Sequence, residues 1–373
     1  MDNSSLEDVR AVRKARRQKN IAQVKRYWLT LAFFLGFIVD NITLNRVDEL
    51  LDNVILATQV TLSMVSILIL YAGVSGKLSG KFAIYSRKYA PMVVQYSFGG
   101  LLSGMLIFYG RSGDWVASWP FLMVILLAII GNEVVKERSS RLVYNLAILF
   151  IGLLSYLVLV IPVVTGKMGP IVFVLSGLVA ACIMYGFIRI LYQIIPRFID
   201  IQIRAVVFTL GVIFGIFNIF YFTNIIPPIP LSLKDLGIYH NVVHLKDDGL
   251  YQLTWVEKPW YAPLRSDDRT IYTKNSNSAF CFASVFAPTK INTDIYHRWE
   301  YLDDKGNWQF YERIPYSIAG GSSRGYRGYT YITSTRTGKW RCLVETQRGQ
   351  VLGRTTFTIS NEAPPRGLQV TRQ

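Results

Sequence analysis

Histidine and cysteine are scarce: the 373-residue chain has three of each. Cys182, Cys281 and Cys342 form no C-x-x-C pair, which excludes a zinc ribbon and a thioredoxin-type dithiol. His240, His244 and His297 leave little room for a Ser-His-Asp site, and no G-x-S-x-G elbow is present. Acid is the minority charge, with 24 Asp/Glu against 40 Lys/Arg. No internal repeat stands out, so an inverted-repeat transporter has no support in the sequence. The polar head before the first apolar run has no small-residue cleavage site after it, so that run is expected to stay as an anchor. Beyond residue 231 no apolar run is long enough to span a bilayer.

What is present lies mostly before that point. Apolar residues make up 51% of the chain and the mean hydropathy is +0.29. Residues 1–26 hold eight Lys/Arg and three acids and read as a basic cytoplasmic tail, solvated or lying along an anionic membrane surface. Seven spans are expected near Tyr27–Leu44, Val54–Val74, Ala90–Gly110, Trp119–Val135, Leu142–Val164, Pro170–Leu191 and Ala205–Phe222, each close to the ~20 residues that cross a bilayer. Basic residues cluster in the tail, in Lys77–Lys88, in Lys136–Arg141 and in Arg189–Arg204, and are few in the alternate loops. This is the positive-inside pattern, with a cytoplasmic N-terminus and an extracytoplasmic C-terminal part. The basic excess therefore signals topology, and nucleic acid is not expected as a partner.

A Pro-rich spacer, residues 223–233, ends the helical domain of residues 27–222. From residue 234 to 361 the periodicity becomes two, with turn signals at Asp247-Asp248-Gly249, Asp303-Asp304-Lys305-Gly306, Thr337-Gly338 and Arg348-Gly349. The runs between them, Leu250–Val256, Ala279–Phe286, Ile295–Leu302, Trp308–Ile318, Tyr326–Thr333, Trp340–Thr346 and Val351–Ile359, predict an all-β, sandwich-like domain. Alternation puts Ile295, His297, Trp299 and Tyr301 on one face of their strand and Tyr296, Arg298 and Glu300 on the other. Trp340, Cys342 and Val344 are expected to point inward, with Arg341 and Glu345 outward. Residues 362–373 read as a flexible end.

Two stretches of this tail, Ile295–Tyr301 (IYHRWEY) and Thr337–Ile359 (TGKWRCLVETQRGQVLGRTTFTI), carry an H-x-W strand, a G-x-W-R strand, a glycine turn and a final G-x-x-x-F strand. Here those positions are His297, Trp299, Gly338, Trp340, Arg341, Gly349, Gly353 and Phe357. In this the chain resembles a bacterial family known only as domain of unknown function 2914. Phe37–Asn53 also looks like the first hairpin of its longer members, which place several spans before the domain. The resemblance implies a bacterial multi-pass membrane protein and brings no activity with it.

Candidate chemistry is sparse. His240 and His244 have helical metal spacing but lie in an extended run, where their rings stand about 13 Å apart; His297 falls on an apolar face, where a buried, hydrogen-bonded ring is expected. No metal, cofactor or catalytic residue is expected. Cys281 and Cys342 fall on the core faces of different strands, as a disulfide that stabilises by ~2–4 kcal/mol or as two buried thiols. The loop Gly320–Arg336 interleaves Arg324, Tyr326, Arg327, Tyr329 and Tyr331, and Trp255 and Trp260 form a second aromatic group. Such surfaces stack on sugar rings or clamp an anionic group; the competing reading is cross-strand tyrosine pairing with solubilising arginines. The expectation is an inner-membrane protein whose β domain binds or scaffolds a cell-wall glycan, an anionic lipid head group or an envelope protein. The rival is a transporter or lipid-handling enzyme with a polar cavity lined by Gln59, Gln95, Asn145 or Glu133.

Overall fold

The structure, a computed structural model, describes residues 37–44, 46–135, 138–245, 248–257, 267–274, 278–288, 291–319, 325–333 and 336–373. Among them, residues 37–43 are helical, and six helices follow: α1 (Leu50–Val74), α2 (Gly80–Ser112), α3 (Trp115–Val134), α4 (Leu142–Thr165), α5 (Pro170–Ile194) and α6 (Pro196–Phe222). All six are long and apolar enough to cross a membrane. The beginning of the first expected span lies outside the described residues. Prolines mark the starts of α5 and α6, where the missing N–H costs no helical bond. Gly166, with φ +68°, closes α4. α2, at 33 residues, is about 50 Å long, so its basic first turns run beyond a ~30 Å hydrocarbon core.

The bundle is apolar inside and out. Small residues let helices approach: a Cβ on Gly104 of α2 would lie 2.6 Å from Leu56 of α1, and one on Gly177 of α5 would lie 2.8 Å from Phe214 of α6. Large apolar side chains such as Ile171, Ile201 and Phe208 point outward and are more than 70% exposed. Apolar surface of that extent belongs against lipid or a partner, since a soluble fold would bury it.

Eleven strands follow: β1 (Ser232–Tyr239), β2 (Asn241–Leu245), β3 (Leu250–Val256), β4 (Thr270–Tyr272), β5 (Ser278–Phe286), β6 (Asn292–Leu302), β7 (Trp308–Ala319), β8 (Tyr326–Thr333), β9 (Gly338–Thr346), β10 (Val351–Ser360) and β11 (Leu368–Arg372). They form three sheets, ordered β1-β5-β8, β4-β10-β9-β6-β7 and β11-β3-β2. The five-stranded sheet and the β1-β5-β8 sheet share a core of Ile238, Cys281, Trp299, Ile332, Trp340, Cys342 and Phe357. The other face of β1-β5-β8 packs on β2 and β3 through Tyr239, Val242, Leu253, Trp255 and Phe282. β5 is therefore covered on both sides, which is why Ala279–Phe286 is a nearly unbroken apolar run.

The alternation expected for β6 and β9 holds: Ile295, His297, Trp299, Trp340, Cys342 and Val344 are fully buried. Glu345 lies on the opposite face as expected but is only 1% exposed, because Arg298 and Arg313 cover it. Residues 362–373, read as a flexible end, instead include β11, which pairs antiparallel with β3. The pairing reaches back more than a hundred residues, and no local pattern announces it.

The β region is docked on one end of the bundle. Asp114 caps α3 by accepting from the backbone N–H groups of Val116 and Ala117, and Arg354 of β10 donates to both of its oxygens at 2.8 Å. The Asp114 N–H also donates to the Val351 carbonyl at 3.1 Å. The spacer after α6 is packed: Ile226 and Ile229 join the bundle core while Leu231 joins a β core. Gln350 donates to the Ile226 carbonyl and Asn224 to that of Arg348, and Met168 from the α4–α5 turn packs on the same β core as Leu231. Because the helices alternate in direction, this is the end bearing residues 44–49, 113–114 and 166–169. The basic segments Lys77–Lys88 and Arg189–Arg204 belong to the other end.

Candidate functional site: the seam between helices and strands

Among the described residues, members of the expected Arg/Tyr surface are engaged in contacts between strands. Trp255 is 5% exposed, sits in the core between sheets and donates its indole N–H to Thr371; it is corrected from ligand contact to core. Tyr329 packs against Tyr251 and Phe280, Tyr326 lies against a β core, and Arg327 donates to the Gly249 carbonyl with its guanidinium 5.7 Å from the Tyr251 ring. These contacts fasten the β2–β3 hairpin to β8, which is the cross-strand reading. Arg324 and Trp260 lie outside the described residues.

Residues of the family-like motif make packing and polar contacts within the β region. His297 and Trp299, two apart and on one face of β6, both hydrogen-bond to Thr330 Oγ1 on the facing sheet, at 2.9 and 3.1 Å. Burial pushes the His297 pKa down to about 3, so the ring is neutral. Phe357 meets Trp299 edge-on. On the other face Arg341 pairs with Glu300 and lies over Trp308, and the ladder continues through Arg298 and Glu345 to Arg313. Gly349, at φ +83°, makes the β9–β10 turn that meets the helices.

Cys281 and Cys342 are joined by a disulfide between β5 and β9. His297 offers a ring nitrogen within 4.8 Å of both sulfurs, but sulfurs bonded to each other do not coordinate a metal as thiolates. His240 does not join His244 in a metal pair. Its Nδ1 lies 2.7 Å from Asp268 and its Nε2 accepts the Tyr272 N–H at 3.0 Å, while His244 stacks on Tyr251. With both ring nitrogens engaged, the His240–Asp268 dyad is a buried clasp and has no free base.

Polar side chains within the bundle are likewise occupied or packed. Gln95 donates to Glu133, Asn132 to the Gln95 carbonyl and Asn145 to Tyr71, and Gln59 lies against Gly100. None of the clefts described below is lined by Gln59, Gln95, Asn145 or Glu133. The largest, about 550 Å³, lies at the end away from the strands and is walled by Tyr71, Val74, Ile194 and Phe198.

Two clefts with polar lining lie on the seam. One cleft of about 260 Å³ is lined by Arg46, Arg111 and Lys234 with Phe108, Ser112, Ser232 and Phe286. Arg46 is paired with Asp48 at 2.8 Å and lies over the Phe286 ring at 4.8 Å. Among the described residues Arg111 donates to neutral acceptors, the carbonyls of Leu44 and Asn41 and the Asn41 side chain. Lys234 reaches over the same Phe286 ring at 5.7 Å. Two of these three cations therefore keep their charge uncompensated by an ion pair among the described residues. A second cleft, about 230 Å³, lies between the ends of α4, α5 and α6 and the β9–β10 turn and contains Arg348. Sequence reasoning missed Arg111, Lys234 and Arg348. The signal was available in part: Arg111 is a basic residue in the last turn of α2, at an end of the bundle where the charge bias otherwise keeps basic residues few.

Among solved structures, Pseudomonas fluorescens alkylpurine DNA glycosylase AlkC bound to DNA containing an abasic site analog is similar at 10% identity, over 85% of this chain and 100% of that one, with a TM-score of 0.22. A likeness that weak carries no argument about fold or function. No curated protein matches the chain. Residues 292–359, from the start of β6 nearly to the end of β10, match the family model described as "Protein of unknown function (DUF2914)".

Proposed function

We propose that this chain is a seven-span protein of the bacterial cytoplasmic membrane whose extracytoplasmic β-sandwich, seated on the outer end of the bundle, binds the anionic head group of a membrane lipid. The observation that carries this reading is the cleft of Arg46, Arg111 and Lys234 at the helix ends, with Phe286 as its floor. Guanidinium and ammonium groups in a partly enclosed cleft favour phosphate over neutral ligands. The sidedness is supported by the basic segments lying at the bundle end away from the strands. It is supported further by the disulfide, which suits an oxidising compartment. The packing of Gln59, Gln95, Asn145 and Glu133 favours an anchoring bundle over a transport path.

The test uses full-length protein in nanodiscs of phosphatidylcholine with and without phosphatidylglycerol, with retained lipid counted by native mass spectrometry. Phosphatidylglycerol is expected to be retained selectively, and the Arg111→Gln/Lys234→Gln variant to lose that selectivity. Equal retention of both lipids, or an unchanged double variant, refutes the reading.

A further inference from the structure

The second seam cleft differs in chemistry from the first. Its walls are Pro162 of α4, Val172 and Phe173 of α5, Tyr221 of α6, and Ile226 and Ile229 of the spacer. Into this apolar space the β9–β10 turn brings one cation, Arg348. Its guanidinium lies 4.2 Å from the centre of the Tyr221 ring, which is itself stacked on Phe173 at 3.8 Å. Arg348 Nη2 makes a long hydrogen bond to the Tyr221 carbonyl, 3.4 Å. The guanidinium also interacts with the Tyr221 side chain, but among the described residues the buried Nη1 has no hydrogen-bond partner within geometric limits and no carboxylate pairs with this side chain. A guanidinium held by aromatic stacking, with a desolvated N–H unsatisfied, is a donor waiting for an anionic acceptor. Backbone contacts fix the turn that carries it: Asn224 donates to the Arg348 carbonyl at 2.9 Å and Gln350 to the Ile226 carbonyl at 3.1 Å.

We propose that this cleft is a binding site for a single-chain aliphatic carboxylate, with the carboxylate on Arg348 and the chain against the proline, valine, phenylalanine and isoleucine walls. One cation among apolar walls matches a carboxylate on an aliphatic chain, whereas the other cleft offers two cations without an ion pair, Arg111 and Lys234, to the several oxygens of a phosphate. The other polar groups at the rim, Thr293, Thr346, Gln347 and Gln350, are neutral. At the ~30 Å³ that a water occupies, 230 Å³ holds about eight groups of methylene size, a chain of medium length. The inference is independent of the lipid head-group reading, since it uses a different cleft and a different ligand class. A ligand here touches three helices and the strand turn at once, so its binding tightens the seam.

The experiment exposes full-length protein in detergent micelles to octanoate, octan-1-ol or inorganic phosphate at equal concentration. Adducts are counted by native mass spectrometry and affinity is measured by calorimetry. One octanoate per chain is expected, with octanol and phosphate bound at least tenfold more weakly. Arg348→Gln should weaken octanoate at least tenfold and Arg348→Lys less. Val172→Trp, which fills the cleft and leaves Arg348 in place, should abolish binding, so the idea does not depend on one variant folding. Arg111→Gln/Lys234→Gln should leave octanoate affinity unchanged, which separates this site from the head-group cleft. Equal binding of octanol and octanoate, preference for phosphate, binding of none, or full affinity in a folded Arg348→Gln or Val172→Trp protein overturns the proposal.

Discussion

Replacing both cysteines of the disulfide, Cys281→Ala with Cys342→Ala, is the sharpest test of how the β region holds together. The two residues are 61 apart in sequence, and closing a loop of that length restricts the unfolded chain by ~4 kcal/mol in the chain-entropy account. Both positions are fully buried in the core shared by two sheets, so loss of the sulfurs also leaves small voids. A domain is stable by only ~5–15 kcal/mol, so the double variant is expected to be strongly destabilised. The assay is urea unfolding of the full-length protein in micelles, followed by the emission of buried Trp299 and Trp340. With a urea dependence of ~2 kcal/mol per molar, the midpoint should fall by ~2 M. A fall below ~0.5 M would show that the bond adds little beyond the packing around it, and the reasoning would fail.

Two further outcomes follow from named contacts. Asp114→Ala removes an N-cap and a charge-assisted pair to Arg354 together; a loss of ~2–4 kcal/mol is expected, read as a lower melting temperature and faster hydrogen exchange in β10, and unchanged β10 exchange would refute the docking role. His297 titrates near 6.5 when unfolded but near 3 when folded, so the unfolded chain binds the proton first; stability is full above pH ~6.5 and falls by up to ~1.4 kcal/mol per unit on the way down to 3, and His297→Gln should flatten that slope in acid-unfolding curves.

Much of the fold was legible because its patterns are local. β3 and β8 begin and end where alternation and turn residues place them, and the helices from α1 to α5 start and stop within a few residues of their apolar runs, apart from the basic extension of α2. α6 starts earlier than its apolar run: Pro196–Arg204 carries the charges of a loop, yet it belongs to the helix from its proline start. β4 and β11 were missed because their ladders are made with β10 and β3, far away in the chain. The same limit misplaced Trp255 and Tyr329. Alternation divides a strand into two faces but does not say that a third sheet covers the second one. The seam sites were hidden for a related reason: Arg46, Arg111 and Lys234 stand apart in sequence, and Arg348 looks like an ordinary turn arginine until Tyr221 is placed beneath it.

The spacer that joins the two parts has a mechanical consequence. Ile226 and Ile229 are buried on the bundle side and Leu231 on the strand side, with the α3 cap and the α4–α5 turn as two more points of attachment. A body held at three separate helix ends cannot swing, so its reach stops at its own far edge. On the proposed reading a ligand of this region has to come down to the bilayer surface, and a pull on the strands is delivered to α3, α4, α5 and α6 together instead of being absorbed by a slack tether.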